Sequence, residues 1–228
     1  LPAASGEKLV RPVELNLYVR DRAPQARFVS RAYVLPRTAD AGIPIQTVNL
    51  SEVELTLSRV SDRNPLRTIQ EGMFAYPLYD WQQGYFDDSI GERVWDGAVT
   101  VAQDLNRDVL TRVPLAEPLS GQPAGVYVLS ARVPGADPYD MPAASQWFVL
   151  SDLGISSMLG TDGLAVSLHS LASAAPLAGV EVQLLNRANA VLGTVTTSDD
   201  GIALFEAGLT RGTGSSEPAL LVATLADD

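Results

Sequence analysis

An all-β chain of two tandem antiparallel sandwiches is the fold this sequence predicts, and three features of its text carry that expectation. Between Ser145 and Phe205 apolar and polar residues alternate in short blocks, each closed by Gly, Pro, Asn or Asp, as half-buried strands joined by tight turns are written. Upstream, Val53, Leu55 and Leu57 alternate with Glu52, Glu54, Thr56 and Ser58, which gives one buried and one wet face. Between these stretches the run PGADPYDMPAA at 134–144 holds three prolines, which remove backbone donors and resist ladder and helix alike, so the domain boundary is expected there. A length of 228 residues and a hydrophobic fraction of 46% allow two cores.

Taken in order, residues 1–25 hold scattered Pro and charge around one alternating patch, Val13 to Val19, an edge strand or an arm. A first sandwich over 26–145 begins with β-like text from Ala26 to Leu35, a TADAG turn, Ile43 to Leu50 and the alternating run at 52–58. Asn64 followed by Pro65 reads as a helix start, with Leu66, Ile69 and Met73 on one face and Gly72 as the stop. That short helix opens an insertion at about 64–91 containing Phe74, Tyr76, Tyr79, Trp81, Tyr85 and Phe86, six of the chain's fifteen aromatics. Such a cluster is either a satellite core under a long loop or an exposed binding patch.

Strand text returns at Arg93 to Ala102, breaks at DLNRD and resumes at Val109 to Leu115. Val126 to Val133 follows, where Tyr127 after Gly125 is placed like the corner tyrosine of an immunoglobulin-like sandwich or is an ordinary inward Tyr. Trp95 and Tyr127 are both expected in the first core. The strand Gln146 to Ser151 is assigned to the second sandwich, 146–228. There Leu164, Val166 and Leu168 share one face, Val180, Val182 and Leu184 another, and NRANA and SDDG make the turns into Val191 to Thr197 and Ile202 to Phe205. After the loop RGTGSSEP comes Ala219 to Leu225, one strand short of seven, as in a sandwich truncated before its last strand.

A formal charge of −11 argues against a nucleic-acid surface, which is built from Lys and Arg, and against attraction to an anionic bilayer. No apolar run approaches the roughly 20 residues of a membrane span, so direct insertion by this chain is not expected. Cysteine is absent, which excludes disulfides, thiolate nucleophiles and a thioester made by this chain. The single histidine, His169, lies on the polar side of its strand, and no G-x-S-x-G elbow accompanies it. Asp104, Asn106 and Asp108 copy the opening of an EF-hand loop, but Val109 and Leu115 stand where its glycine and bidentate glutamate belong. Asp199 and Asp200 read as turn chemistry before calcium. Asp152 and Asp162 lack the context of an acid and base pair, and RGTGSS lacks the Gly-Lys-Ser/Thr ending of a phosphate loop. No catalytic residue, cofactor or metal ligand is therefore expected.

The run SQWFVLSDLGISSMLGTDGLAVSLHSLASAAPLAGVEVQLLNRANAVLGTVTTSDDGIALF, with its aromatic pair entering VLSDLG and its spaced Gly160 and Gly163, resembles an N-terminal macroglobulin domain of the bacterial α2-macroglobulins. In the first half, GIPIQTVNLSEVELTLSRVSDRN, ERVWDG and PLAEPLSGQPAGVYVLSAR resemble the macroglobulin domain before it. The resemblance implies a non-enzymatic scaffold of a broad-spectrum protease-trapping inhibitor of the periplasm or cell envelope, its parent a membrane-anchored lipoprotein. Its partners would be neighbouring macroglobulin domains and, through the full-length parent, host or foreign proteases. The bait segment and Cys-Gln thioester of that mechanism are not found here. A cell-surface adhesin or spacer of transthyretin-like sandwiches would explain the second half only. A carbohydrate-active enzyme would rest on the aromatic insertion alone.

Overall fold

The alternating run at 52–58 forms the middle of the first sandwich, in a computed structural model that describes residues 4–6, 11, 14–30, 32–36, 41–61, 64–226 and 228. The elements of this half are β1 (Gln25–Phe28), β2 (Ala32–Leu35), β3 (Gly42–Val48), β4 (Glu52–Val60), α1 (Pro65–Gln70), α2 (Asp80–Ser89), β5 (Gly91–Thr100), β6 (Val109–Pro114), β7 (Gly125–Arg132) and β8 (Ala144–Leu150). A five-stranded sheet in the order β2-β8-β7-β4-β5 faces a three-stranded sheet β1-β3-β6. All pairings are antiparallel except β2 on β8. Val53, Leu55 and Leu57 of β4 meet Ile43 and Ile45 of β3, Val113 of β6, Tyr127 and Leu129 of β7, and Phe148 and Leu150 of β8 in one core.

Tyr127 is fully buried, stacks on Phe148 at 5.5 Å and donates its hydroxyl hydrogen to the carbonyl of Pro123 at 2.5 Å. That bond, to backbone four residues upstream, is the corner-tyrosine geometry. Trp95 packs against the same core but is only half-buried.

The strand at Gln146–Ser151 needs a correction. As β8 it hydrogen-bonds to β7 and β2 and puts Phe148 and Leu150 into the first core, so its pairing places it in the first sandwich. The proline-rich run before it is the loop from β7 to β8, not a linker, and the chain passes between sandwiches at Ser151–Asp152. Pattern could not decide this, because a strand buried on both faces reads alike on either side of a boundary. The β-like stretch at 26–35 divides into β1 and β2, which join opposite sheets.

The second sandwich holds β9 (Leu153–Leu159), β10 (Gly163–Ser170), β11 (Glu181–Asn186), β12 (Val191–Thr196), β13 (Ile202–Glu206) and β14 (Pro218–Thr224). Two three-stranded sheets, β13-β10-β9 and β12-β11-β14, enclose Val166, Leu168, Val180, Val182, Leu184, Ala203 and Phe205. The strand β9 was not anticipated. Among the described residues no helix is long and apolar enough to cross a membrane.

Ahead of β1, residues 14–24 form no strand, so the patch at Val13–Val19 is an arm over its described part; Val13 lies outside the described residues. The arm is clasped at its root. The backbone N–H of Arg22 donates to Asn106 Oδ1 at 2.8 Å, Asn49 Nδ2 donates to the Arg22 carbonyl at 2.8 Å, and the Arg22 guanidinium reaches both oxygens of Asp108 at 3.2 Å.

Hydrogen bonding from Arg22 holds the Asp108 carboxyl below its ordinary value. A depressed pKa means that the clasp is complete above the ordinary carboxylate range, about 4, and is lost as pH falls through the lower folded value. Asp108→Ala at neutral pH, and the unaltered chain in acid once its rate is referred to that of a free amide at the same pH, are therefore expected to lose protection several-fold at the Arg22 amide that the clasp holds. In the variant, trypsin should cut sooner after Arg20 and Arg22 while the circular dichroism of the sandwiches is unchanged. Equal exchange in the variant would show that the ion pair holds nothing.

Candidate interaction surface

The insertion at 64–91 is built on the outer face of the five-stranded sheet. Pro65 at the first helical position pre-sets α1, and Gly72, at φ +68°, takes the left-handed conformation that ends it. Asn64 makes no side-chain cap; its Nδ2 instead points to the carbonyl of Ile90 at 3.5 Å. α2 begins where the backbone N–H of Tyr79 donates to Gln82 Oε1 at 3.0 Å, one half of a capping box.

Between the helices and the sheet lies a second core of Val60, Met73, Leu78, Phe86, Ile90, Val128 and Trp147. Phe74 and Phe86 bracket the Trp147 ring at 5.5 and 5.6 Å, and the Trp147 indole N–H donates to the Tyr76 carbonyl at 2.8 Å. Leu78 is fixed from below, its N–H donating to Ser145 Oγ at 2.7 Å.

The six aromatics singled out from sequence divide accordingly. Phe86 is buried and Phe74 half-buried in the satellite core. Tyr85 is half-buried, with the Arg67 guanidinium 5.4 Å from its ring centre and Arg67 in turn paired to Glu71 at 3.0 Å. Tyr76, Tyr79 and Trp81 face outward, the last two 70% and 73% exposed. The satellite-core reading holds for the inner members, and the outer three are exposed. One residue missed from sequence joins them: Tyr139, in the β7–β8 loop, is fully outward and lines a cleft of about 290 Å³ with Gly84 and Asp87 of α2. Only its place among the prolines at 134–144 could have signalled a structured loop.

The other sequence candidates serve structure. Asn106 and Asp108 make the clasp described above, and Asp104 pairs with Arg107 at 3.3 Å. Asp152 accepts from Ser170 Oγ at 2.6 Å and from the Ala172 N–H at 2.8 Å, tying a turn, while Asp162 lies beyond the other end of β9. Asp199 and Asp200 sit in the turn closed by Gly201, whose N–H donates to the Ser198 carbonyl at 2.9 Å. His169 is half-buried above Gly154, where a β carbon would come within 2.6 Å of its Nε2. Among the described residues no three such side chains converge as a metal cage.

Comparison with known proteins matches both halves. Residues 27–148 fit the family model described as the bacterial alpha-2 macroglobulin MG2 domain, and residues 150–228 fit the bacterial alpha-2-macroglobulin MG3 domain. The alpha-2-macroglobulin of Escherichia coli K12 is 30% identical over 197 residues, covering 85% of this chain and 12% of that protein. That of Xylella fastidiosa 9a5c is 23% identical over 218 residues, covering 93% and 13%. The chain thus spans about an eighth of the length of these relatives. Among solved structures, native E. coli alpha-2-macroglobulin spanning domains NIE-MG1 superposes with a TM-score of 0.73 at 26% identity, covering 92% of this chain and 96% of that one. The native conformation of the E. coli protein gives 0.66 at 25% identity, covering 100% and 14%.

Proposed function

The chain belongs to the bacterial alpha-2-macroglobulin family, and we propose that it is a rigid structural unit near the N-terminus of a protease-trapping inhibitor of the periplasm or cell envelope. The observation that carries this reading is the unbroken pair of family matches laid over two consecutive sandwiches. Gln70 Nε2 of α1 also donates to the Arg187 carbonyl in a turn of the second sandwich, which braces one domain on the other. The trap, the protease partners and a membrane-anchored lipoprotein parent follow from family resemblance. The adhesin reading leaves the match over 27–148 without explanation.

Within that role Tyr76, Tyr79, Trp81 and Tyr139 form the face turned to a neighbouring domain of the parent, while Phe74, Tyr85 and Phe86 hold the insertion to its own sheet. Exposed aromatics with polar tips suit such a contact, because one end is apolar and the other tolerates water.

Trypsin mixed with an equimolar amount of this chain is expected to keep its full activity toward a large protein substrate, whereas the parent suppresses it. Inhibition by the chain alone would overturn the scaffold reading. Replacing Tyr79 and Trp81 with serine should leave the folded spectrum unchanged, since neither side chain fills a core. In the parent, hydrogen exchange at 76–84 should be slower than in the isolated chain and the double variant should abolish the difference; equal exchange in both contexts would remove the interface.

A further inference from the structure

The cleft of about 290 Å³ beside Tyr139 lies between α2 and the loop from β7 to β8. Leu78, Pro138, Pro142 and Ala143 give it apolar walls, and Gln83 and Asp87 of α2 bring polar atoms to it. Gln83 is only 9% exposed and holds the carboxylate from one side: its Nε2 donates to Asp87 Oδ1 at 2.9 Å, while its Oε1 accepts from Ser130 Oγ at 3.4 Å. Among the described residues nothing donates to Asp87 Oδ2. The other wall is preformed. Asp137 accepts from three successive backbone N–H groups, that of Tyr139 on Oδ1 at 2.9 Å and those of Asp140 and Met141 on its carbonyl at 3.1 and 2.9 Å. The turn fixed in this way carries the Tyr139 ring at the rim, 91% exposed.

The charge around this cleft is predominantly negative. Residues 134–143 hold Asp137 and Asp140 and no cation. In the insertion at 64–91 the one cation, Arg67, is already paired to Glu71, which leaves Asp80, Asp87 and Asp88 unbalanced in the sequence. Arg132 also lines the cleft, but Glu54 stands directly opposite it in the β4–β7 register, on the same outer face of the sheet, and offsets its charge. A carboxylate with an open oxygen, apolar walls and an aromatic ring are the three parts a guanidinium side chain uses, for a charge-assisted hydrogen bond, for its methylene stem and for stacking. The volume falls just short of the roughly 300–1,000 Å³ of small-molecule sites, which suits one inserted side chain. Lysine would meet the carboxylate as a point charge and use the ring less well.

We propose that a neighbouring domain of the parent places an arginine side chain in this cleft, its guanidinium on Asp87 and against the Tyr139 ring. This rests on the reading that the aromatic face turns to another domain, and it adds the chemistry of the partner. Asp88 and Asp140, both exposed, draw a positively charged surface to the same face.

In the full-length parent, amide exchange at 139–141 is expected to be slower than in this chain alone at the same salt. That slowing should shrink as salt rises from about 0.05 to about 0.5 M, where screening acts within roughly 4 Å. Asp87→Asn, which keeps an acceptor for Gln83 and removes the charge, should reduce the slowing about tenfold, and Asp87→Lys should abolish it. Arg132→Glu, which deepens the negative field, should preserve or strengthen it. Circular dichroism of both variants should match the unaltered chain, since both side chains are exposed. Slowing that survives Asp87→Lys and disappears in Arg132→Glu would overturn the proposal in favour of an acidic partner. Slowing indifferent to salt and to both substitutions, or confined to 76–84, would overturn the arginine and leave the domain contact standing. Equal exchange at both 76–84 and 139–141 in the two contexts would remove contact and arginine together.

Discussion

Replacing Trp147 with alanine is expected to unfold the first sandwich under conditions in which the second remains folded. The ring is fully buried between Phe74 and Phe86, and it is the largest side chain joining the helical insertion to the sheet. Truncating a buried aromatic costs about 3–5 kcal/mol, and leaving the Tyr76 carbonyl without its indole donor adds about 1. Against a typical domain stability of about 5–15 kcal/mol, that removes much of the margin. All three tryptophans, Trp81, Trp95 and Trp147, belong to the first half, so fluorescence follows that half alone while circular dichroism follows both. Denaturation by urea should show the fluorescence midpoint of Trp147→Ala falling well below that of the unaltered chain and the dichroism separating into two steps. Trp147→Phe, which keeps most of the packing and loses the N–H, should lie between. A loss under about 1 kcal/mol for the alanine variant would mean that the insertion is not anchored there.

The parts of this fold that could be read in advance are those where one face is wet. β4 shows it plainly: Glu52 and Glu54 are exposed, and Val53, Leu55 and Leu57 are buried. Where both faces are covered the signal degrades. VYVL in β7 and WFVL in β8 are continuous apolar runs because the insertion covers Val128 and Trp147 on one side while Tyr127, Leu129 and Phe148 fill the main core on the other. That two-sided burial is why β8 was placed in the wrong sandwich. β9 fails for the reverse reason, since on its uncovered inner face Ser157 replaces an apolar residue and alternation disappears. α2 was hidden by composition. Gly84 and three aspartates are weak helix formers, and the segment is helical because Phe86 is drawn into the satellite core.

The candidate surface was legible as a cluster and not as a division of labour. Its two phenylalanines turn inward and its most exposed members are Tyr79 and Trp81, which follows from side-chain chemistry: a ring with a polar tip can leave a core without leaving that tip unpaired. The clasp was invisible for another reason. Its partners are 84 residues apart, and the feature that makes DLNRD competent, Asn106 at φ +60°, is backbone conformation, which a ligand pattern borrowed from calcium loops does not report. A local motif search therefore singled out the right residues and correctly set calcium aside, but left them as a plain turn with no sign of the clasp.

Gly163→Ala is expected to be the most damaging small substitution in the second sandwich, and Gly160→Ala nearly silent. Both glycines carried the family resemblance, but geometry separates them. Gly163 sits at φ +141°, and a β carbon there would lie 2.0 Å from the Phe205 carbonyl oxygen. That oxygen is backbone in the ladder where Leu164 faces Phe205 and Gly163 faces Glu206, so relief requires β10 and β13 to part and Phe205 to leave the core. Backbone strain and the displaced ladder together should cost on the order of 3 kcal/mol or more. At Gly160 the nearest atom is Asp162 Oδ1 at 2.6 Å, the mobile end of a side chain that can swing into water, so the change should stay within about 0.5 kcal/mol. Amide exchange over β10 and β13 measures the difference without interference from the first sandwich. Gly163→Ala should exchange there at least tenfold faster, with the protection of β4 and β7 retained. If Gly163→Ala keeps its protection, Gly163 does not approach β13 this closely and the pairing of β10 with β13 is wrong.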